Sequence, residues 1–132
     1  MLLRVYYEDT DAAGVVYHSN YLNYCERART EYLREHGWSV AELAAEGAIF
    51  PVVRMEIDFK APARHDDLLR VTTLPLRVGG SSFELRQQVV RESDGKLLVE
   101  LLVTLACVTV QLKARRIPAG VRETLIAGVS SA

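Results

Sequence analysis

The sequence predicts an α+β domain in two layers, with an antiparallel sheet of about five strands packed on one long amphipathic helix. Two observations lead there. One stretch of helical periodicity lies in the first third of the chain, and from Pro51 onward the apolar period drops from 3.6 to 2. The later segments are joined by connections short enough to force antiparallel neighbours. At 132 residues with 49% hydrophobic content, one such domain can bury a core without metal or disulfide staples.

The elements follow in order. Leu2 to Tyr7 is rich in aliphatic and aromatic residues and reads as a short strand. It breaks at the acidic loop Glu8 to Gly14. Ser19 and Asn20 then offer N-cap side chains to a helix over Tyr21 to His36. Tyr21, Cys25, Ala28 and Tyr32 form its buried stripe, and Gly37 closes it. Ser39 caps a second, short helix that runs to Glu46. Val53, Met55, Ile57 and Phe59 alternate with Arg54, Glu56, Asp58 and Lys60, giving a strand with one dry and one charged face. Leu68 to Val78 is the next strand, with Pro75 marking a bulge or an edge. Gly79-Gly80 turns the chain into Ser82 to Arg91. Asp94-Gly95 suits a type I′ hairpin turn. Leu97 to Val110 is almost continuously apolar and reads as a central strand. One helix is a small cover for five strands, so a second subunit is expected to complete the burial. The reading is one domain over 1–132, with only 128–132 as a loose tail.

Composition excludes several functions. Net charge is −1, from 16 basic and 17 acidic residues, so no whole-chain field attracts nucleic acid or an anionic membrane. Cys25 and Cys107 sit singly in apolar patterns and read as reduced core thiols. The start lacks the basic segment of a signal peptide. The longest apolar stretch falls short of the ~20 residues that span a bilayer. A cytoplasmic protein without membrane insertion is expected.

The densest cluster of reactive groups is Tyr7 to His18. A solvated acidic turn is the default reading of such a loop. Asp9-x-Asp11-x-x-Gly14 begins like a calcium loop but has Ala13 and Asn20 where the fifth and twelfth ligand positions fall, so no metal is expected. A serine nucleophile lacks its G-x-S-x-G elbow, and Cys25 lies on the helix stripe. The remaining reading is a carboxylate site at a helix N-terminus. Asp11 precedes the free N–H groups around His18, Ser19 and Asn20, which would polarise a carbonyl oxygen. Asp11 would attack that carbon or deprotonate water beside it. Thioesters suit such equipment, because a thiolate of pKa about 8.5 leaves with little acid assistance. Gly14 permits close backbone approach, and His18 and Tyr7 would orient or supply protons.

These residues carry a resemblance. Tyr6-Tyr7-Glu8-Asp9-Thr10-Asp11-x-x-Gly14-Val15-Val16-Tyr17-His18-x-Asn20-Tyr21-Leu22, followed by Cys25-Glu26-Arg27-Ala28-Arg29-Thr30-Glu31, resembles the hotdog-fold acyl-CoA thioesterases of the 4-hydroxybenzoyl-CoA thioesterase type. Within them it is most similar to the Tol–Pal-associated YbgC branch. Agreement runs from Val5 to about Pro118. The resemblance implies a hotdog, a helix wrapped by a sheet, assembled as a homodimer or homotetramer with sites at the dimer interface. It implies Asp11 as the catalytic carboxylate, His18 and Tyr7 as assisting groups, and the His18 backbone N–H as the carbonyl donor. Gly14, Val15, Tyr17 and Asn20 follow as substrate contacts. Arg77, Gly79, Gly80, Ser81 and Ser82 follow as the coenzyme A loop, with Arg115 or Arg116 beside them. No cofactor is implied, coenzyme A being part of the substrate, and acyl carrier protein is a candidate partner. Ile49, Phe50, Phe59 and Tyr24 are candidate acyl walls. The alternatives are a hotdog hydratase or dehydratase and a non-catalytic acyl-thioester-binding scaffold of the cell envelope.

Overall fold

The computed structural model of the chain describes residues 1–130. Five strands, β1 (Leu2–Arg4), β2 (Val52–Phe59), β3 (Leu68–Val78), β4 (Ser82–Arg91) and β5 (Leu97–Ala106), form one antiparallel sheet in the order β1-β3-β4-β5-β2. Helices α1 (His18–Glu35), α2 (Val40–Ala45) and α3 (Ala119–Ser130) complete the fold. This is the hotdog arrangement. The core lies between α1 and the inward residues of the sheet. Tyr21, Tyr24, Cys25, Ala28 and Leu33 of α1 meet Leu69 and Val71 of β3, Phe83, Leu85 and Val89 of β4, and Val99, Leu101 and Val103 of β5. Period 2 on the strands and 3.6 on the helix put these apolar residues on the facing surfaces.

Several local expectations are corrected. The first strand ends at Arg4, and Tyr7–Asp9 is a single 3-10 turn. Helix α1 begins at His18 rather than Tyr21, with Tyr17 in the cap position and no side-chain cap. The Asn20 side chain is used otherwise, donating from Nδ2 to the Asp9 carbonyl at 2.9 Å. Pro75 marks a bulge, where the β3–β4 register shifts before Arg77. Strand β5 stops at Ala106, and Val108 bridges instead to Ile49 and Ala114. The Asp94-Gly95 turn is not type I′, because among the described residues only Gly95 of that pair has positive φ. The Asp94 carboxylate instead accepts from Lys96 N at 3.1 Å and Arg91 Nη1 at 2.9 Å, which holds a longer loop closed.

The expected loose tail is also corrected. Gly128 to Ser130 belong to α3, and 131 and 132 lie outside the described residues. The helix packs across β3 beside α1, with Val121 and Leu125 fully buried. The sequence signal for it is Pro118 before a Val121–Leu125 spacing of four. Gly120 is its contact point. An alanine methyl there would lie 2.5 Å from the Trp38 ring, which is fixed by its Nε1 donation to Thr124 Oγ1 at 3.0 Å. Gly120→Ala should therefore cost about 1–3 kcal/mol, although glycine-to-alanine exchange in an open helix gains about 0.5–1 kcal/mol. The midpoint of urea unfolding reads the sign.

Polar groups inside the core are few. Cys25 and Cys107 are free thiols with no exposed surface. Burial raises the Cys25 pKa from 9.0 to about 11. A thiol that ionises at higher pH when folded supports the fold below about pH 9 and loses that support as pH rises toward 11. We expect the thermal midpoint to fall across that window, by the equivalent of roughly 2–3 kcal/mol from Cys25, and Cys25→Ala to remove that share. Gln87 is fully buried on β4. Its Nε2 donates to the Cys25 carbonyl at 2.8 Å and to Thr73 Oγ1 at 3.0 Å, tying α1 to β3 and β4.

Strand β2 is exposed for a strand in a packed sheet. It pairs only with β5 and leaves its other edge open. Met55 and Ile57 are half-buried, but Val53 is 61% and Phe59 52% exposed.

Candidate active site

The Tyr7–His18 segment is a small hairpin leading into α1. Thr10 and Val16 form an antiparallel bridge. Asp11 N–H donates to Val15 O at 2.9 Å and Tyr17 N–H to Asp9 O at 2.9 Å. Gly14 makes the tip possible with φ at +79°, and its N–H closes on Asp11 O at 3.0 Å. The hairpin is docked through Val15, which bridges to Arg64, and Val16 N–H, which donates to Ala63 O at 2.9 Å. Beneath it the buried Tyr21 hydroxyl accepts from Ala63 N–H at 3.0 Å. Burial raises the pKa of that phenol, so it stays neutral and structural.

Asp11 is exposed, and its Oδ1 accepts the Ala13 N–H at 2.9 Å. The hairpin puts Asp11 on the same short unit as the start of α1, with no direct contact between its carboxylate and the helix amides among the described residues. At that start the His18 and Ser19 N–H groups have no acceptor among the described residues, and no side chain caps the helix. His18 is exposed, with its ring 4.5 Å from Tyr17 and 6.3 Å from Phe59. Tyr7, 80% exposed, lies apart from His18 and meets the His65 ring edge-on at 5.9 Å. Asn20 holds the hairpin backbone through the Asp9 carbonyl. Among the candidate walls, Phe59 contacts Tyr21 and His18, Phe50 packs on Phe83, and Ile49 bridges Val108. The buried Tyr24 hydroxyl has no partner among the described residues. Its burial, with the negative Asp9 adding to it, raises its pKa beyond the usual phenol range.

The Gly79–Ser82 loop lies at the other end of the sheet. Gly79 N–H donates to Ser82 O at 2.8 Å, and Ser81 O accepts from Cys107 N–H at 2.7 Å. Arg77 is exposed, with Nη2 4.0 Å from Glu84. The segment leading into α3 braces this loop. Ile117 N–H donates to Gly80 O at 2.9 Å, and Arg122 Nε donates to Gly79 O at 2.9 Å. Arg116 and Arg122 line a hollow beside Gly80, whereas Arg115 turns away to the Arg116 and Glu46 carbonyls. Arg122 is not legible in the sequence as a loop neighbour, because it rides on a helix that the strand pattern before it does not announce. Strand β3 spans 11 residues, so about 33 Å of strand separates the two groups within one chain. No group of three or more acidic, His or Cys side chains fit to hold a metal ion occurs among the described residues.

Residues 13–98 match the thioesterase superfamily. The chain belongs to that superfamily. It is a thioester hydrolase by family, and within the superfamily it resembles the YbgC proteins. It is 44% identical over 117 residues to the acyl-CoA thioester hydrolase YbgC of Escherichia coli, covering 88% of this chain and 87% of that protein. A probable thioesterase from Bartonella henselae has the same fold with a TM-score of 0.84 at 38% identity, covering 89% of this chain and 97% of that one. A 1,4-dihydroxy-2-naphthoyl-CoA thioesterase from Synechocystis matches with a TM-score of 0.89 at 25% identity, over 96% of this chain and 93% of its own. The superfamily match begins inside the hairpin and takes in α1 and strands β2 to β4.

Proposed function

We propose that the protein is an acyl-CoA thioesterase whose site is shared between two protomers, with Asp11 as its catalytic carboxylate. The observation that carries this reading is the open start of α1. An 18-residue helix presents uncapped amides at His18 and Ser19 although Asp, Ser and Asn side chains lie within a few residues. Such amides, at the positive end of a helix dipole, stabilise the oxyanion that forms when a thioester carbonyl is attacked. Asp11, on the hairpin feeding the helix, either attacks the carbonyl carbon or takes a proton from water that does. The carbon–sulfur bond then breaks, and coenzyme A leaves as thiolate. Where Asp11 is the attacking group, water next hydrolyses the acyl–Asp11 anhydride, releasing the acid and restoring the carboxylate.

A two-fold axis through the open β2 edge supplies what one chain lacks. Joining β2 antiparallel to its own copy brings the Val52 end of one protomer beside the Phe59 end of the other, where His18 lies. The partner's Gly79–Ser82 loop is then at the same end as Asp11, about three strand spacings, ~14 Å, to the side. Pantetheine spans that gap, with the phosphates falling near Arg77, Gly80 and Arg116. His18 and Phe59, with ring centroids 6.3 Å apart, form a wall, and Tyr7 contributes from the rim. Activity in the cytoplasm on acyl-CoA or acyl carrier protein, and association with the Tol–Pal system, extend the same reading.

The test is release of free thiol from a panel of acyl-CoAs, followed with a thiol reagent. Both cysteines are buried, so the folded enzyme does not consume it. Hydrolysis above the enzyme-free rate supports the reading, and binding without hydrolysis would assign the scaffold role instead. Hydration of an enoyl-CoA without thiol release would assign the hydratase role.

A further inference from the structure

A cavity of about 120 Å³ lies between α1, the sheet and α3, walled by Leu33, Phe50, Phe83, Leu85, Leu105 and Leu125. Into its apolar wall comes one cation, Arg29. Its Nη1 donates to Gln87 Oε1 at 3.0 Å. Among the described residues this is the guanidinium's one hydrogen bond, and no carboxylate lies within ion-pair distance of it. Four of its five N–H donors are thus unspent. Burial works against its charge and lowers its pKa. Glu26, exposed at the cavity's border, is the acidic group nearest enough to matter, and it forms no ion pair with Arg29. A half-buried guanidinium of this kind gains most from an oxyanion that can occupy its fork.

The cavity stands at the Phe50 end of β2. In the two-fold arrangement proposed for the site, that end adjoins the partner's α1 start, so an acyl chain held there would point inward past Phe50 and Phe83. We propose that Arg29 is a specificity-determining residue that receives a carboxylate at the far end of a short acyl group lodged in this cavity. This assignment rests on the acyl-CoA thioesterase reading. At about 120 Å³ the cavity is somewhat smaller than the ~150 Å³ apolar cavity that admits the six-carbon ring of benzene, which suits a four-carbon chain. A four-carbon acyl group is therefore of a size to lodge there.

The experiment compares kcat/KM for succinyl-CoA and butyryl-CoA, which share a four-carbon skeleton, with enzyme-free hydrolysis subtracted. The wild-type enzyme should favour succinyl-CoA at least tenfold. Arg29→Met should bring that ratio to within about threefold of unity, with far-UV circular dichroism confirming the fold. Arg29→Lys, which keeps a cation but loses the fork, should lower the ratio at least threefold and serves if the methionine variant does not fold. A wild-type ratio near one, or a ratio unmoved in a folded variant, overturns the assignment while leaving the thioesterase reading in place. Failure to hydrolyse any acyl-CoA in a wider panel overturns both.

Discussion

Asp11→Asn is expected to lower turnover of acyl-CoA at least ~100-fold while leaving the protein folded. Asparagine keeps the shape and the hydrogen bond of the side chain, because its carbonyl oxygen can still accept the Ala13 N–H now held at 2.9 Å. What it removes is the negative charge, and with it both the capacity to attack a carbonyl and the capacity to deprotonate water. KM should change much less than kcat, since Asp11 is assigned to the reaction and not to holding coenzyme A. Unchanged turnover in a folded variant would withdraw Asp11 from the mechanism. His18→Ala should cost less, because the backbone amide of residue 18 survives the substitution. Single-turnover hydrolysis in ¹⁸O water separates the two roles of Asp11. Label in the Asp11 side chain requires attack by the carboxylate, with water opening the resulting anhydride at the Asp11 carbonyl, because general-base action puts label only in the product acid.

The second large effect concerns the open edge of β2. Val53→Glu should dissociate the dimer and reduce activity at nanomolar protein by at least ~100-fold, with partial recovery as concentration rises. Val53 is 61% exposed in the single chain, so a glutamate there has little effect on the fold of one protomer. In an antiparallel β2–β2 junction it would meet the partner's Asp58 and Phe59 end, where like charge and the lost apolar contact oppose pairing. Sedimentation velocity gives the oligomeric state, and thiol release at the same concentrations gives the rate. Full turnover by a protomer shown to be monomeric would refute the shared site. A variant that stays dimeric would place the interface elsewhere.

The legible parts of the fold are those whose own residues repeat a spatial period. Tyr21, Cys25 and Ala28 announce α1 because the same face is buried along its length. The limits of β3 and β4 are readable for the same reason. What stays hidden is decided by partners far along the chain. Asn20 looks like a cap, yet it is recruited by the Asp9 carbonyl, and the helix starts earlier with its amides open. Helix α3 is obscured by Gly120 and Gly128, which lower helix propensity but admit the Trp38 ring, the Tyr32 hydroxyl and Pro75. At the site, the motif points to the hairpin and the helix start. It cannot show that Tyr7 meets His65 rather than His18, nor that the Gly79–Ser82 loop lies at the far end of the sheet. Arg29 is visible only as one letter of a helical motif. Its place in a cavity depends on Gln87, 58 positions later.

The unpaired margin of β2 also shapes the life of the newly made chain. Until it is covered, as in the proposed β2–β2 junction, each polypeptide carries eight residues of strand ready to pair with any extended segment nearby. Alternating charges from Arg54 to Lys60 discourage indiscriminate partners without closing that margin. On the proposed two-fold arrangement, correct association therefore competes with aggregation from the moment of synthesis, and slow, cool overexpression should give more soluble protein than rapid induction.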